Sequence, residues 1–313
     1  MIDGRWIRDD VATLGDDGAF ERAETTFRDR VGDDGSAHPA EPGRYHLYVS
    51  YACPWAHRTL VARALLGLED AISVSVVDPH MGEGGWRFSE NTGCVPDPVF
   101  SAEFLRDVYR KSDPAFTGRV TVPVLLDKQT RKIVNNESRE ILRMLATTFA
   151  SMGTRTLELS PPSMRKAIDE MIDANYEPIN NGVYKAGFAR SQVAYDRAID
   201  ALFAALGRCE ARLVENRYLC GDTITEADIC LFTTLLRFDS VYHTHFKCNV
   251  RRVVDYPALW GFVRDVYQRP GVASTCNLDH IREHYYGSHP AVNPSGVIAR
   301  GPELDFDAPH GRA

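Results

Sequence analysis

The residues best able to do chemistry stand together at Ser50-Tyr51-Ala52-Cys53-Pro54-Trp55-Ala56-His57-Arg58. Before them His46–Ser50 reads as a buried strand. After them Leu60, Val61, Ala64 and Leu65 fall on one helical face, and Gly67 is a helix stop. Cys53 therefore sits where a strand ends and a helix begins. The first amides of a helix lack partners and its dipole is positive there, so the position favours an anion. A thiolate is such an anion, and a cysteine so placed is a nucleophile. Pro54 suits the first helical turn because its missing N–H would have had no partner.

A lone cysteine is more often a buried packing residue; the strand–Cys–Pro–helix setting shifts the reading toward function. Ala56 stands where a redox motif would carry its second thiol, so Cys53 must be resolved by another thiol, one from a small molecule. Arg58 can add positive charge, although one turn on it can equally face solvent. His57 is read as a packing residue and kept out of the catalytic set.

The elements around this site form a pattern. Ile72–Val76 alternates with period two, so the opening is strand, helix, strand, a parallel right-handed pair. A long excursion follows from about Asp78 to Arg119, with a Gly-rich stretch around Trp86 and a helical pattern through Phe104, Leu105, Val108 and Tyr109. Val120–Leu126 reads as a strand and Lys132–Asn135 as the last one. Pro123 interrupts the former, which argues for unusual local geometry; a cis Val122-Pro123 bond is one solution. Glu137-Ser138 precedes an apolar helix through Ile141, Leu142, Leu145 and Phe149, and taken alone is a helix cap. From about Pro161 the chain turns helical, with helices expected at 163–176, 194–215, 226–242 and 259–269. Thr225 and Asp228 resemble a capping box. The stretch from about His284 is rich in Gly, Pro and Asn and reads as a surface tail.

Composition sets outer limits. The length of 313 residues suggests two domains or one large one, and 44% hydrophobic with 25% charged residues are ordinary values for a globular protein. No apolar run reaches the roughly 20 residues of a membrane helix. The opening residues carry no signal-peptide pattern, and a cytoplasmic location is expected. The net charge of −7 argues against general nucleic-acid or membrane-surface binding. Seven scattered cysteines without a CxxC pair argue against a disulfide scaffold and a structural zinc site. His243 and His245 lack partners at metal-binding spacing, so no metal is expected.

Five blocks in order carry a family resemblance: Cys53-Pro54-Trp55-Ala56-His57-Arg58, Gly85-Trp86-Arg87-Phe88, Arg119-Val120-Thr121-Val122-Pro123-Val124, Asn135-Asn136-Glu137-Ser138 and Asn180-Asn181-Gly182-Val183-Tyr184-Lys185-Ala186-Gly187. With them the chain resembles the glutathionyl-hydroquinone reductases, the Xi class of glutathione transferases, from about Phe27 to Pro302. The resemblance implies an α/β thioredoxin-like N-terminal domain followed by an all-α helical C-terminal domain, the glutathione transferase fold. The boundaries expected are an arm at 1–40, a glutathione-binding domain at 41–155, helices at 160–283 and a tail at 284–313. It makes Val122-Pro123 cis, with the Val122 backbone offered to the cysteinyl amide of glutathione. Glu137 and Ser138 would hold its γ-glutamyl end, and Trp86 and Arg119 the remaining contacts.

The implied reaction removes glutathione from a glutathionyl-hydroquinone. Cys53 takes the glutathione sulfur as a mixed disulfide, the hydroquinone leaves, and a second glutathione releases oxidised glutathione. A serine at this position would favour conjugation instead, because a hydroxyl is a poor partner for sulfur exchange. Tyr184, Tyr242 and Tyr285 would line the aryl pocket, with Tyr184 and Tyr285 in the catalytic set. Glutathione is the co-substrate, aromatic glutathione conjugates are the partners, and a homodimer is expected. The alternatives are an Omega-like thioltransferase or dehydroascorbate reductase, which would share Cys53, and a redox-silent glutathione-binding protein.

Overall fold

The computed structural model describes residues 1–7, 13–32 and 37–312. The chain divides into two compact units. The first comprises residues 1–7, 24–32, 37–157 and 275–288, and the second 13–23, 158–274 and 289–312.

The first unit is built on a four-stranded mixed sheet. Strand β1 (Tyr45–Val49) is buried along its whole length, as a central strand covered on both faces must be. Helix α1 (Pro54–Leu66) follows, then β2 (Ile72–Val76), which pairs parallel to β1 with Tyr45 opposite Ile72 and Val49 opposite Val76. The expected parallel pair is therefore present. Gly67 ends α1 with φ +66°, a left-handed backbone that glycine adopts without a Cβ penalty. The excursion contains α2 (Leu105–Ser112). Two aspartates organise its loops. Asp78 accepts from the His80 amide, Ser89 and Asn91, and Asp97 accepts from the Tyr48 hydroxyl and the amides of Val99, Phe100 and Ala102.

The third strand is shorter than the sequence suggests. β3 spans Val124–Asp127, so Val120–Pro123 lie outside the ladder. Pro123 offers no N–H to a neighbouring strand, and its bond to Val122 is cis. β3 runs antiparallel to both β1 and β4 (Lys132–Asn135), giving the order β2-β1-β3-β4 with an irregularity between Leu125 and Leu126. Helix α3 (Ser138–Ala146) then packs on α1.

The second unit is helical: α4 (Arg165–Asn175), α5 (Gly182–Gly187), α6 (Gln192–Glu215), α7 (Glu226–Arg237) and α8 (Pro257–Tyr267). Two π-helical turns stand at helix ends, one after the first expected helix and one inside the helix expected at 226–242. Tyr176–Asn180 contains Pro178, which cannot donate to the preceding turn, and Phe238–Tyr242 replaces the last turn expected of a helix to Tyr242. Gly187 is packed so closely that a Cβ there would lie 2.2 Å from the Phe246 ring.

The largest departure from the sequence reading is at the C-terminal end. Residues His284–Ser288 are not tail but the second half of α9 (Leu278–Ser288). His280, Ile281, His284, Tyr285 and Tyr286 are buried, which an amphipathic turn achieves and a solvated tail would not. The helix belongs to the first unit, so the expected boundary at 283/284 does not coincide with the observed division. Similarly, residues of the expected arm contribute to both units, a two-residue hairpin pairing Thr13–Leu14 with Phe20–Glu21 belonging to the second. Beyond α9 the chain joins the helical unit, where Phe306 packs against Trp260 and Tyr267.

Candidate active site

Cys53 is the residue before α1, and Pro54 is the first of the helix. No side chain caps this helix and no acidic residue lies in its first turn. Cys53 is half-buried, with its Sγ 3.7 Å from the Val122 carbonyl oxygen. The sulfur thus lies against the cis Val122-Pro123 peptide.

The segment entering that peptide is held by Tyr109, a residue the sequence reading used only for helical periodicity. Its hydroxyl donates to the Thr121 carbonyl at 2.9 Å and accepts from Asn136 Nδ2 at 3.1 Å. The cis loop is thereby tied to the β4–α3 turn that carries Glu137 and Ser138. The only signal in the sequence was generic: a buried phenol must find partners. Arg119 is half-buried at the start of the same loop.

Glu137 caps α3, its Oε1 accepting from the Arg139 amide at 3.1 Å and its Oε2 from Thr25 Oγ1 at 3.2 Å. The capping reading of Glu137 is thus correct as geometry. Ser138, buried, opens the helix and accepts from Arg58 Nη1 at 3.4 Å. Arg58 does not face solvent. It is 2% exposed, with its guanidinium carbon 4.4 Å from the Trp55 ring centroid. A charged side chain on the second turn of a helix gives no sequence signal of burial, which is why the sequence leaves both alternatives for Arg58 open.

His57 is fully buried, with Nε2 2.8 Å from Thr275 Oγ1 and 3.8 Å from Cys276 Sγ. It anchors α1 to the segment leading into α9, which fits the packing reading. Trp86 stacks on His284 of α9, ring centroids 4.8 Å apart, and Tyr285 meets the same histidine edge-on at 5.3 Å. Tyr285 thus meets the same histidine that Trp86 stacks on, and Tyr285 and Tyr286 are both buried. His284 Nδ1 lies 2.9 Å from the Pro79 carbonyl.

Tyr184 and Tyr242 lie in the helical unit, 6.1 Å apart by ring centroid. Arg22 lies over the Tyr184 ring at 4.8 Å, and Tyr242 stacks on Phe246 at 5.6 Å. Within each unit, then, the expected residues cluster: Cys53 with Val122, Ser138 with Arg58, Trp86 near Tyr285, and Tyr184 with Tyr242. His245 contacts His289 at 3.2 Å; among the described residues no group of three or more His, Cys, Asp or Glu could hold a metal ion. No helix among them is long and apolar enough to cross a membrane.

Comparison with known proteins decides the family. Residues 52–148 match the glutathione S-transferase N-terminal domain and 192–265 the C-terminal domain. The chain is 51% identical to glutathionyl-hydroquinone reductase YqjG of Escherichia coli K12, covering 100% of this chain and 98% of that protein. The chain belongs to the glutathionyl-hydroquinone reductases. A Xi-class transferase from Natrialba magadii superposes with a TM-score of 0.94 at 54% identity, over 100% of this chain and 95% of that one. The glutathione-bound structure of YqjG superposes at 0.89, over 100% and 98% of the two chains. The fold is that of a glutathione transferase, as the resemblance implied.

Proposed function

We propose that this protein reduces glutathionyl-hydroquinones to hydroquinones with glutathione as co-substrate, through a mixed disulfide on Cys53. Membership of the reductase family supports the reaction, and one local observation carries the mechanism: a half-buried sulfur at an uncapped helix start, 3.7 Å from the Val122 carbonyl. The Cys53 thiolate attacks the glutathione sulfur of the substrate. The S–S bond forms as the aryl C–S bond breaks, and the aryl carbon takes a proton. A second glutathione thiolate then attacks the mixed disulfide, releasing oxidised glutathione and the Cys53 thiolate. The thiol of the second glutathione and the thioether sulfur of the substrate end as one disulfide, and the aryl C–S bond is reduced to C–H.

In this reading the Val122 backbone pairs with the cysteinyl amide of glutathione, while Glu137 takes the γ-glutamyl ammonium and Ser138 the carboxylate. Trp86 and Arg119 complete the glutathione contacts. Tyr184, Tyr242 and Tyr285 serve the aryl group, Tyr184 and Tyr285 as phenol donors to the leaving ring. The protein works in the cytoplasm as a homodimer.

The test is an assay with a glutathionylated hydroquinone, with hydroquinone and oxidised glutathione quantified together. Equimolar products and a glutathionyl adduct on the Cys53 peptide by mass spectrometry are expected. Turnover without that adduct, or full turnover in Cys53→Ala, overturns the mechanism.

A further inference from the structure

Among the described residues Arg58 is a cation without a counter-ion. It is 2% exposed, yet no carboxylate among the described residues pairs with it, and its Nε has no hydrogen-bond partner there. By contrast, the buried Arg44 pairs with Asp127 at 2.6 Å, and the partly buried Arg217 with Asp265 at 2.8 Å. An unpaired buried charge is costly, so an anion arriving beside it would relieve that cost. The face of Trp55 offsets part of that cost.

The direction in which Arg58 points identifies the anion. Its Nη1 donates to Ser138 Oγ at 3.4 Å, and Ser138 is the first residue of α3. A hydroxyl has one proton and two lone pairs. With the guanidinium on a lone pair, the Ser138 proton is left to donate outward, at the positive end of a nine-residue helix. Two positive influences and one oriented donor thus converge on one point. We propose that Arg58 is the positioning residue that makes the Ser138 site selective for the α-carboxylate of a γ-glutamyl group, acting through the Ser138 hydroxyl. This rests on the reading of Ser138 as the γ-glutamyl anchor. It makes carboxylate recognition a property of α1, the helix that also presents Cys53, so binding the γ-glutamyl end and placing the sulfur are coupled by one rigid element.

The experiment compares two substrates in single turnover, reading the glutathionyl adduct on Cys53 by mass spectrometry. One is a glutathionyl-hydroquinone. The other is its analogue with 4-aminobutanoyl in place of γ-glutamyl, which lacks only the α-carboxylate. Wild type should prefer the full substrate by roughly 10- to 100-fold in kcat/KM, mostly through KM, the size expected of a hydrogen-bonded charge. In Arg58→Met the full substrate should fall to the analogue's level while the analogue is nearly unchanged. Arg58→Lys, which keeps the charge but not the fork, should be intermediate. If Arg58→Met slows both substrates equally, its role is structural and the proposal is overturned. If wild type does not discriminate, it is overturned whether or not any variant folds. If wild type forms no Cys53 adduct with either substrate, the functional reading itself fails and takes this one with it.

Discussion

Helices α1 and α7 begin in opposite ways. At α7 the start is closed by side chains. Asp228 Oδ1 accepts from the Leu219 amide at 2.7 Å, and its Oδ2 accepts from the amide and hydroxyl of Thr225 at 2.8 and 3.0 Å. At α1 no side chain caps the first turn, and the residue before it is Cys53. The closed start spends its polar groups on stability. The open start keeps its first amides and its dipole for whatever anion comes to the sulfur. The same structural problem, a helix terminus with unsatisfied donors, is solved once for folding and once for chemistry.

Replacing Cys53 breaks this comparison most forcefully. In Cys53→Ser the hydroxyl is a better cap than the thiol but a poor partner for sulfur exchange. Reductase kcat/KM should fall by roughly 1,000-fold or more, while thermal unfolding stays level or rises by a degree or two. Steady-state assay and calorimetry on one preparation check both halves. Activity retained within tenfold would show that the open start is not catalytic.

The reciprocal change is at α7. Asp228→Ala leaves buried donors of Leu219 and Thr225 unmatched and should cost about 2–4 kcal/mol. Denaturant unfolding by circular dichroism reads this. The activity of the folded fraction should be unchanged, because nothing at the cap touches the chemistry.

How much of this was legible in the sequence follows from which interactions have a period. The strand, helix and strand around Cys53 could be read because burial repeats along the chain, and Cys53-Pro54 because proline tolerates only the first turn of a helix. Thr225 and Asp228 were visible for the same local reason. The return of α9 to the first unit was not, since an amphipathic turn records that it has an apolar face but not which core receives it. By sequence alone, residues His284–Ser288 therefore read as tail. The orientation of Arg58 stays open in the sequence because charge ordinarily means solvent. Tyr184, Tyr242 and Tyr285 came from family resemblance, because nothing in their spacing separates a pocket phenol from a packed one.

The thiols sharpen the comparison at smaller scale. Burial pushes the Cys209 thiol up to about 11 and the fully buried Cys248 higher still, and it raises those of Cys94 and Cys220. Iodoacetamide at neutral pH followed by peptide mapping should therefore label Cys53 first and Cys209 and Cys248 last. Labelling of Cys94 or Cys220 ahead of Cys53 would mean that the open helix start does not activate its sulfur.

The smallest effect separates two buried carboxylates, one in each unit. At Asp127 burial favours the neutral acid. Hydrogen bonds from Arg44 and His38, then the amides of Gln129 and Thr130, outweigh it and hold the group well below its ordinary 3.8. At Asp228 burial wins over the amides of Leu219 and Thr225, and the group is pushed up to about 6. The signs are opposite. Asp127, depressed on folding, contributes stability that is complete above its ordinary value and lost as pH falls toward its folded one. Asp228, raised on folding, contributes stability that is complete below 3.8 and lost as pH rises through about 6. The stability gap between wild type and Asp127→Asn should therefore narrow as pH falls below about 4. The gap between wild type and Asp228→Asn should widen from pH 7 to 5. Each slope is at most about 1.4 kcal/mol per pH unit, the limit for one proton. Parallel slopes in the two series would show that the closed start of α7 is held by a charge, as at Asp127, and that burial does not set its protonation.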